Sequence, residues 1–216
     1  MGPRRHTPLR SPQPPAEPRW RRRPEARPAE ILRAALIAFA RLGYARTRLA
    51  DVAAEAALSK AAIYRYFPTK AALFAETVRR HTRDALGEEP IAAGFFPDTA
   101  EKQLERFLRN SWAALRRPEL SQLIRLVHAE LAAFPELAGV FREEVVYLLR
   151  ERLGRVISAG QARGVFRSLP GDYVVRAVPE LLVHHALVGA DDSLVDGLHD
   201  LLLHGLLRRS TRRDAE

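Results

Sequence analysis

The stretch from Leu49 to Phe67 constrains this chain more than any other. It holds two short helical segments with a break at Ala57 and Leu58 between them, and small residues stand where the two helices must approach. Val52, Ala53, Leu58 and Ile63 can pack into one mini-core. Ser59, a good N-cap, opens the second segment. With those apolar residues turned inward, Lys60, Ala61, Ala62, Tyr64 and Arg65 are left at the start and on the outer face of the second helix. The reading is helix, tight turn, helix, with a polar and cationic outer surface.

The neighbouring sequence supplies partners for this unit. Ile31, Leu32, Ala35, Leu36, Phe39 and Ala40 recur at helical spacing, with Pro28 near the start and Gly43 as a C-cap candidate. Thr47 is expected to cap the helix that carries Leu49, Val52 and Ala53. Pro68 ends the third helix. Thr69 caps a fourth, whose inner stripe is Leu73, Phe74 and Val78. Beyond a polar stretch at 87–98, the spacing predicts helices over 99–116, 118–133, 136–163, 172–188 and 192–208. Gly164 is the expected C-cap of the long one, and Pro179 is expected to kink the next. No strand-length alternation occurs outside Val165 and Phe166, so the expected fold class is all-α.

Charge divides the chain. Residues 1–27 carry a net +6, residues 28–83 another +6, residues 84–207 a net −5 and the last nine residues +2. A basic front and an acidic body suggest two modules with different partners, the front suited to a polyanion through phosphate contacts and counterion release. The alternative is that the asymmetry serves solubility alone. Two of the three lysines, Lys60 and Lys70, fall within the basic module. Residues 1–24, with seven prolines and the Arg21–Arg23 run, read as a disordered arm that adds phosphate affinity or does nothing.

The chemistry of the helical pair suits DNA. The N-terminal end of such a second helix enters the major groove, where its dipole favours phosphate. Ala61 and Ala62 allow close approach, and a methyl can touch a thymine methyl. Lys60, Tyr64 and Tyr66 have donors for phosphate or base edges, with Tyr66 half core. Thr47 and Lys70 flank the unit and can each bind backbone phosphate. The expected DNA-binding set is Thr47, Arg48, Ser59, Lys60, Ala61, Ala62, Tyr64, Arg65, Tyr66 and Lys70.

These residues resemble the TetR family of bacterial transcriptional regulators. The family runs through Asp-Ile-Ala, a turn Ala-Gly-Val-Ser, a recognition helix ending Tyr-x-Tyr/His-Phe, then Pro-Ser/Thr-Lys and a helix-four leucine. Here the positions are Asp51-Val52-Ala53, Ala56-Ala57-Leu58-Ser59, Tyr64-Arg65-Tyr66-Phe67, Pro68-Thr69-Lys70 and Leu73, and Gly43–Tyr44 also looks like the family. The chain departs at Ala57, where the turn glycine usually stands, and at Ala61, where glycine or proline is common. If position 57 needs a left-handed backbone, alanine there costs on the order of 1 kcal/mol.

The resemblance implies an N-terminal three-helix helix-turn-helix head (25–85, the motif itself about 48–67) and a C-terminal helical domain (86–209) that binds ligand and dimerises, followed by a tail (210–216). It also implies a homodimer on a palindromic double-stranded DNA operator, released by a small-molecule effector. Pocket candidates are Phe107, Trp112, Leu123, Val127, His128, Phe134, Phe141 and Tyr147, each of which can equally be plain core. Arg125, His128 and Glu130 are polar groups on a mostly apolar helix, placed either to orient a ligand or at the surface. The last two helices, through Tyr173, Val178, Leu181, Leu182, Leu194, Leu198, Leu201 and Leu202, are more apolar than one subunit's core needs, and are the expected dimer interface.

Several classes are set aside. The chain has no cysteine, which removes disulfides, a cysteine nucleophile and Cys-ligated metal sites. His184 and His185 diverge by about 100° on a helix, and His199 and His204 are poorly spaced for a metal, so no metal or other cofactor is expected. No signal peptide or membrane span is expected either, and the anticipated location is the cytoplasm. Two other functions compete: a helical interaction module that has lost DNA binding, and an all-helical enzyme using Glu130, His128 and Glu180.

Overall fold

The computed structural model describes residues 27–87, 98–130, 132–168 and 172–207. The expected arm at 1–24, most of the 87–98 stretch and the tail at 210–216 lie outside the described residues. The helices in order are α1 (Arg27–Arg46), α2 (Leu49–Glu55), α3 (Lys60–Tyr66), α4 (Lys70–Leu86), α5 (Ala100–Leu115), α6 (Pro118–Glu130) and α7 (Pro135–Phe141). After a π turn at Arg142–Val146 come α8 (Tyr147–Ala162), α9 (Tyr173–Val188) and α10 (Ser193–Leu206). The described residues contain no strand, only an isolated bridge between Phe166 and Leu207. The fold is all-α, as the periodicity implies.

The head is α1 to α3, closed by the first half of α4. Ile31, Ala35, Phe39, Val52, Ile63, Leu73, Phe74 and Val78 form its buried centre. Each is a large or small apolar residue on the inner stripe of its own helix, and burying one of the larger ones contributes about 1.5–3 kcal/mol. Ser59 Oγ accepts from Ala62 N at 3.2 Å and Thr69 Oγ1 from Ala72 N at 3.0 Å, so both N-caps form as the sequence suggests. Ala57 adopts φ 53°, the left-handed conformation that glycine would take without a steric penalty.

Thr47 departs from its expected role. It is 2% exposed, and its hydroxyl donates to Gly43 O at 2.6 Å and Ala38 O at 3.3 Å. The capping position of α2 falls to Arg48, whose amide donates to the Asp51 carboxylate at 2.7 Å. The cause is Gly43. Its φ of 78° breaks the regular run of α1, and the chain makes one more turn to Arg46, which folds Thr47 back onto the α1 carbonyls.

Two C-terminal spans also differ from the expected ones. The helix expected over 118–133 ends at Glu130, where a tight turn bonds Ala133 N and Phe134 N to Glu130 O at 3.1 and 2.9 Å. Pro135 disfavours helical backbone at Phe134, which sits at φ −136°, ψ 75°, and then starts α7 at its first position. The helix expected over 136–163 is interrupted by the π turn, whose extra residue accompanies the burial of both Val145 and Val146. α9 continues through Pro179 as one helix, and Gly164 follows α8 with φ 73°.

In the body, α5 packs against α8, α9 and α10. Its stripe of Leu104, Phe107, Leu108, Trp112 and Leu115 is buried. Gly160 is required on α8, because a Cβ there would lie 2.1 Å from the ring of buried Phe166.

Candidate nucleic-acid interface and C-terminal body

The α2–α3 pair presents one outward surface. Arg48, Ser59, Lys60, Ala61, Tyr64 and Arg65 are exposed, Tyr64 by 45%, and Ala62 and Tyr66 are half-buried. Ile63 and Phe67 point inward, so the helical period places Lys60 and Tyr64 one above the other. The Lys60 ammonium lies 5.6 Å from the Tyr64 ring centre, and the Arg65 guanidinium 5.6 Å from that of Tyr66. These residues form a short cationic and aromatic ridge with methyl-bearing alanines beside it.

The two flanking donors are placed otherwise. Thr47 spends its hydroxyl inside α1. Lys70 donates to Tyr44 O at 2.7 Å and Ala45 O at 3.1 Å, with its ammonium 4.3 Å from the Tyr44 ring centre. Burial lowers the Lys70 pKa, and the negative charge of Glu130 opposes that shift. Both side chains therefore brace the head internally. The sequence pattern places them beside the motif but carries no sign that the Gly43 turn delivers backbone carbonyls to them.

The eight pocket candidates occupy different settings. Phe107, Trp112, Leu123, Val127 and Phe141 are buried core. His128 is exposed, as is Tyr147, which lies under the Arg150 guanidinium at 5.3 Å. Phe134 leaves the body and meets the head, edge-on to Tyr44 at 5.2 Å. Trp112 Nε1 donates to Asp192 at 2.8 Å and borders a groove of about 500 Å³ with Arg109, Arg116 and Val195. A second groove, about 470 Å³, runs along the head–body seam past Arg33, Ile37, His81, Asp84 and Glu119.

The dimer candidates divide by helix face. Val178, Leu182, Leu198 and Leu202 are buried in their own subunit, and Leu194 is half-buried. Tyr173, Leu181 and Leu201 are 76%, 38% and 68% exposed, and Val188, absent from the expected set, is 60% exposed. Tyr173, Ala177, Leu181, His184 and Val188 are exposed at helical spacing along α9. On α10, Leu201 lies between Gly197 and Gly205, and a Cβ at either glycine would meet nothing within 4 Å.

Sequence reasoning did not pick out the contacts that tie α4 to the body. Arg79 donates to Glu144, on the π turn, at 2.6 and 2.9 Å. Buried Arg152 donates to Leu86 O, the last carbonyl of α4, at 2.9 Å and to the capping Gly87 O at 2.6 Å. Arg117 donates to Asp84 O at 2.8 Å. Arg152 shares the buried stripe of Leu149, Leu153 and Ile157 on α8, and an arginine at that spacing is the available signal. Among the described residues, no helix is long and apolar enough to cross a membrane.

Comparison with known proteins agrees with this geometry. Residues 31–77 match the family described as bacterial regulatory proteins, tetR family, and residues 97–202 match the tetracyclin repressor-like C-terminal domain. The HTH-type transcriptional repressor SCO4008 of Streptomyces coelicolor is 31% identical over 190 residues, covering 83% of this chain and 92% of that repressor. Among solved structures, a TetR-family regulator from Mesorhizobium loti shares 20% identity with a TM-score of 0.66, covering 87% of this chain and all of the other. A transcriptional regulator from Saccharomonospora viridis in complex with choline shares 25% identity with a TM-score of 0.64, covering 86% of this chain and 99% of that one. The flavonoid-responsive regulator FrrA shares 22% identity with a TM-score of 0.63, covering 86% of this chain and all of the other. With both halves matched in order and a curated repressor similar across most of its length, the chain belongs to the TetR family of helix-turn-helix transcriptional regulators.

Proposed function

We propose that this regulator is a cytoplasmic homodimeric repressor that binds a palindromic operator and leaves it when a small molecule enters the C-terminal domain. The observation that carries the reading is the pairing of two unpartnered surfaces: a cationic ridge on α3 and an apolar face on α9 and α10. In this reading Arg48, Ser59, Lys60, Ala61, Ala62, Tyr64, Arg65 and Tyr66 contact DNA. Lys60 and Tyr64 meet phosphate or base edges, and the alanines permit close approach. Exposed Tyr173, Leu181, Val188 and Leu201 pack against a second copy, whose two-fold axis presents two recognition helices to two half-sites.

Release follows from how α4 is held. Its carboxy-terminal half is fixed to the body by Glu144, Arg152 and Arg117, and its amino-terminal half is core of the head. A ligand that opens the close-packed layer around Phe107, Leu123 and Val127 displaces α8 and the π turn. α4 swings with them, and the two heads change spacing. Operator affinity then falls by the coupling free energy between the two sites. Two of the solved relatives are described as flavonoid-responsive and as holding choline, which supports a small organic effector.

The test starts with an operator selected from random duplex DNA. Small organic molecules, choline and flavonoids among them, are then added to the protein–DNA complex. Saturable release by at least one of them is expected. A molecule that binds at saturation while operator affinity stays unchanged contradicts the allosteric reading.

A further inference from the structure

The turn between α1 and α2 is held from the regulatory body as well as from the head. Glu130, at the end of α6, accepts the Ala45 amide on Oε2 at 3.0 Å, across 85 residues of sequence. Its other oxygen, Oε1, fills the space beside Gly43, where a Cβ would lie only 2.5 Å away. Gly43 is favoured by its φ of 78°, and its lack of a Cβ leaves room for the carboxylate in this position. Four residues further on, Phe134 stacks edge-on against Tyr44, which also packs on Phe39 and Phe74 in the head core. The carbonyls of Tyr44 and Ala45 take the Lys70 ammonium from the first turn of α4. Glu130 acts electrostatically on both Tyr44 and Lys70. α6 packs along α1 as well as along α4.

The amide side of the turn is thus fixed by α6 and the carbonyl side by α4. Four residues after Ala45 the chain enters α2, which packs on α3. We propose that Glu130 is a positioning residue for DNA recognition: it ties α6 of the regulatory domain directly to the α1–α2 turn, a second route into the head beside α4, and so holds the recognition helix at its working angle. The proposal rests on the regulator reading for its DNA consequence. The tie itself stands on the geometry alone.

The test uses the full chain with Glu130→Ala and Glu130→Gln, two readouts and a selected operator duplex beside a scrambled one. Hydrogen exchange at the Ala45 amide is expected to be about tenfold faster in Glu130→Ala and within about threefold of wild type in Glu130→Gln, whose amide oxygen still accepts the bond. Operator binding, read by fluorescence anisotropy, is expected to weaken about fivefold in Glu130→Ala and to stay near wild type in Glu130→Gln, with equal binding of all three to the scrambled duplex. Unchanged Ala45 exchange in Glu130→Ala overturns the tie. Equal operator affinity in all three proteins, or a parallel loss on scrambled DNA, overturns the positioning role. If selection yields no operator, the regulator reading fails on its own account, and the exchange result still decides whether Glu130 holds the turn.

Discussion

Head and body obey the same helical rule yet leave opposite residues outside. In the head, every large apolar residue of α3 that can turn inward does so, and what remains is Lys60, Tyr64 and Arg65. In the body, α9 and α10 bury Val178, Leu182, Leu198 and Leu202 and still expose Tyr173, Leu181, Val188 and Leu201. The difference teaches that function is read from what a packed helix fails to cover. A cationic remainder suits a polyanion, and an apolar remainder of this extent suits another protein surface.

The largest effect should come from charging the apolar remainder. Leu181→Glu with Leu201→Glu leaves the subunit core untouched, because both residues are exposed, and buries like charges in the proposed dimer. Sedimentation is expected to show monomers, with operator affinity lower by about a hundredfold. Dimers of undiminished affinity would move the interface off this face.

Ile63→Ala attacks the head from inside. Ile63 is fully buried between α3 and its neighbours, so the head should lose about 2–5 kcal/mol in denaturant unfolding. Unfolding of the body as a separate, unshifted transition would show two independent units. A single shifted transition would show that α4 couples them.

Ala57→Gly sharpens the comparison by improving the head without touching its cationic ridge. Relief of the left-handed alanine at φ 53° should stabilise the protein by about 0.5–1 kcal/mol in the same experiment. A destabilisation would mean that the alanine methyl is worth more in packing than it costs in backbone strain.

The smallest effect concerns pH at the seam between the two regions. His81 on α4 has its pKa lowered by burial, against a bond to the Leu32 backbone and the charges of Asp84 and Glu119, with Arg80 lowering it further. Its Nε2 is buried without a partner. The folded protein therefore binds this proton less readily than the unfolded chain. Stability from this group is present above about pH 6.5 and is lost as pH falls from there through the lowered folded value. His81→Gln should flatten that slope. An equal slope in the variant would place the titrating group elsewhere.

Much of the head was legible because its signals are local. Ser59 and Thr69 cap where an N-cap residue precedes an apolar run, and Val52 and Ile63 face inward by period alone. Thr47 and Lys70 were not legible in the same way. Their partners are carbonyls brought round by the Gly43 turn, which no spacing rule reports. In the body, an aromatic at helical spacing reads the same whether it fills a core, as Phe107 does, or bridges to another domain, as Phe134 does. On α9 the apolar stripe is so broad that sequence cannot separate Leu182, which faces inward, from Leu181, which faces out. Glu130 illustrates the general limit, since its contact at Ala45 joins two elements whose proximity only the tertiary fold creates.

The most direct measurement is fluorescence anisotropy of the full chain on the selected operator and on scrambled DNA, over a salt series, with Tyr64→Ala beside wild type. The account predicts two subunits per operator, affinity that falls steeply with salt, and at least about a tenfold loss of operator preference in Tyr64→Ala with its helical circular dichroism unchanged. Equal affinity of the wild-type protein for operator and scrambled DNA, or saturation at one subunit per site, would contradict it.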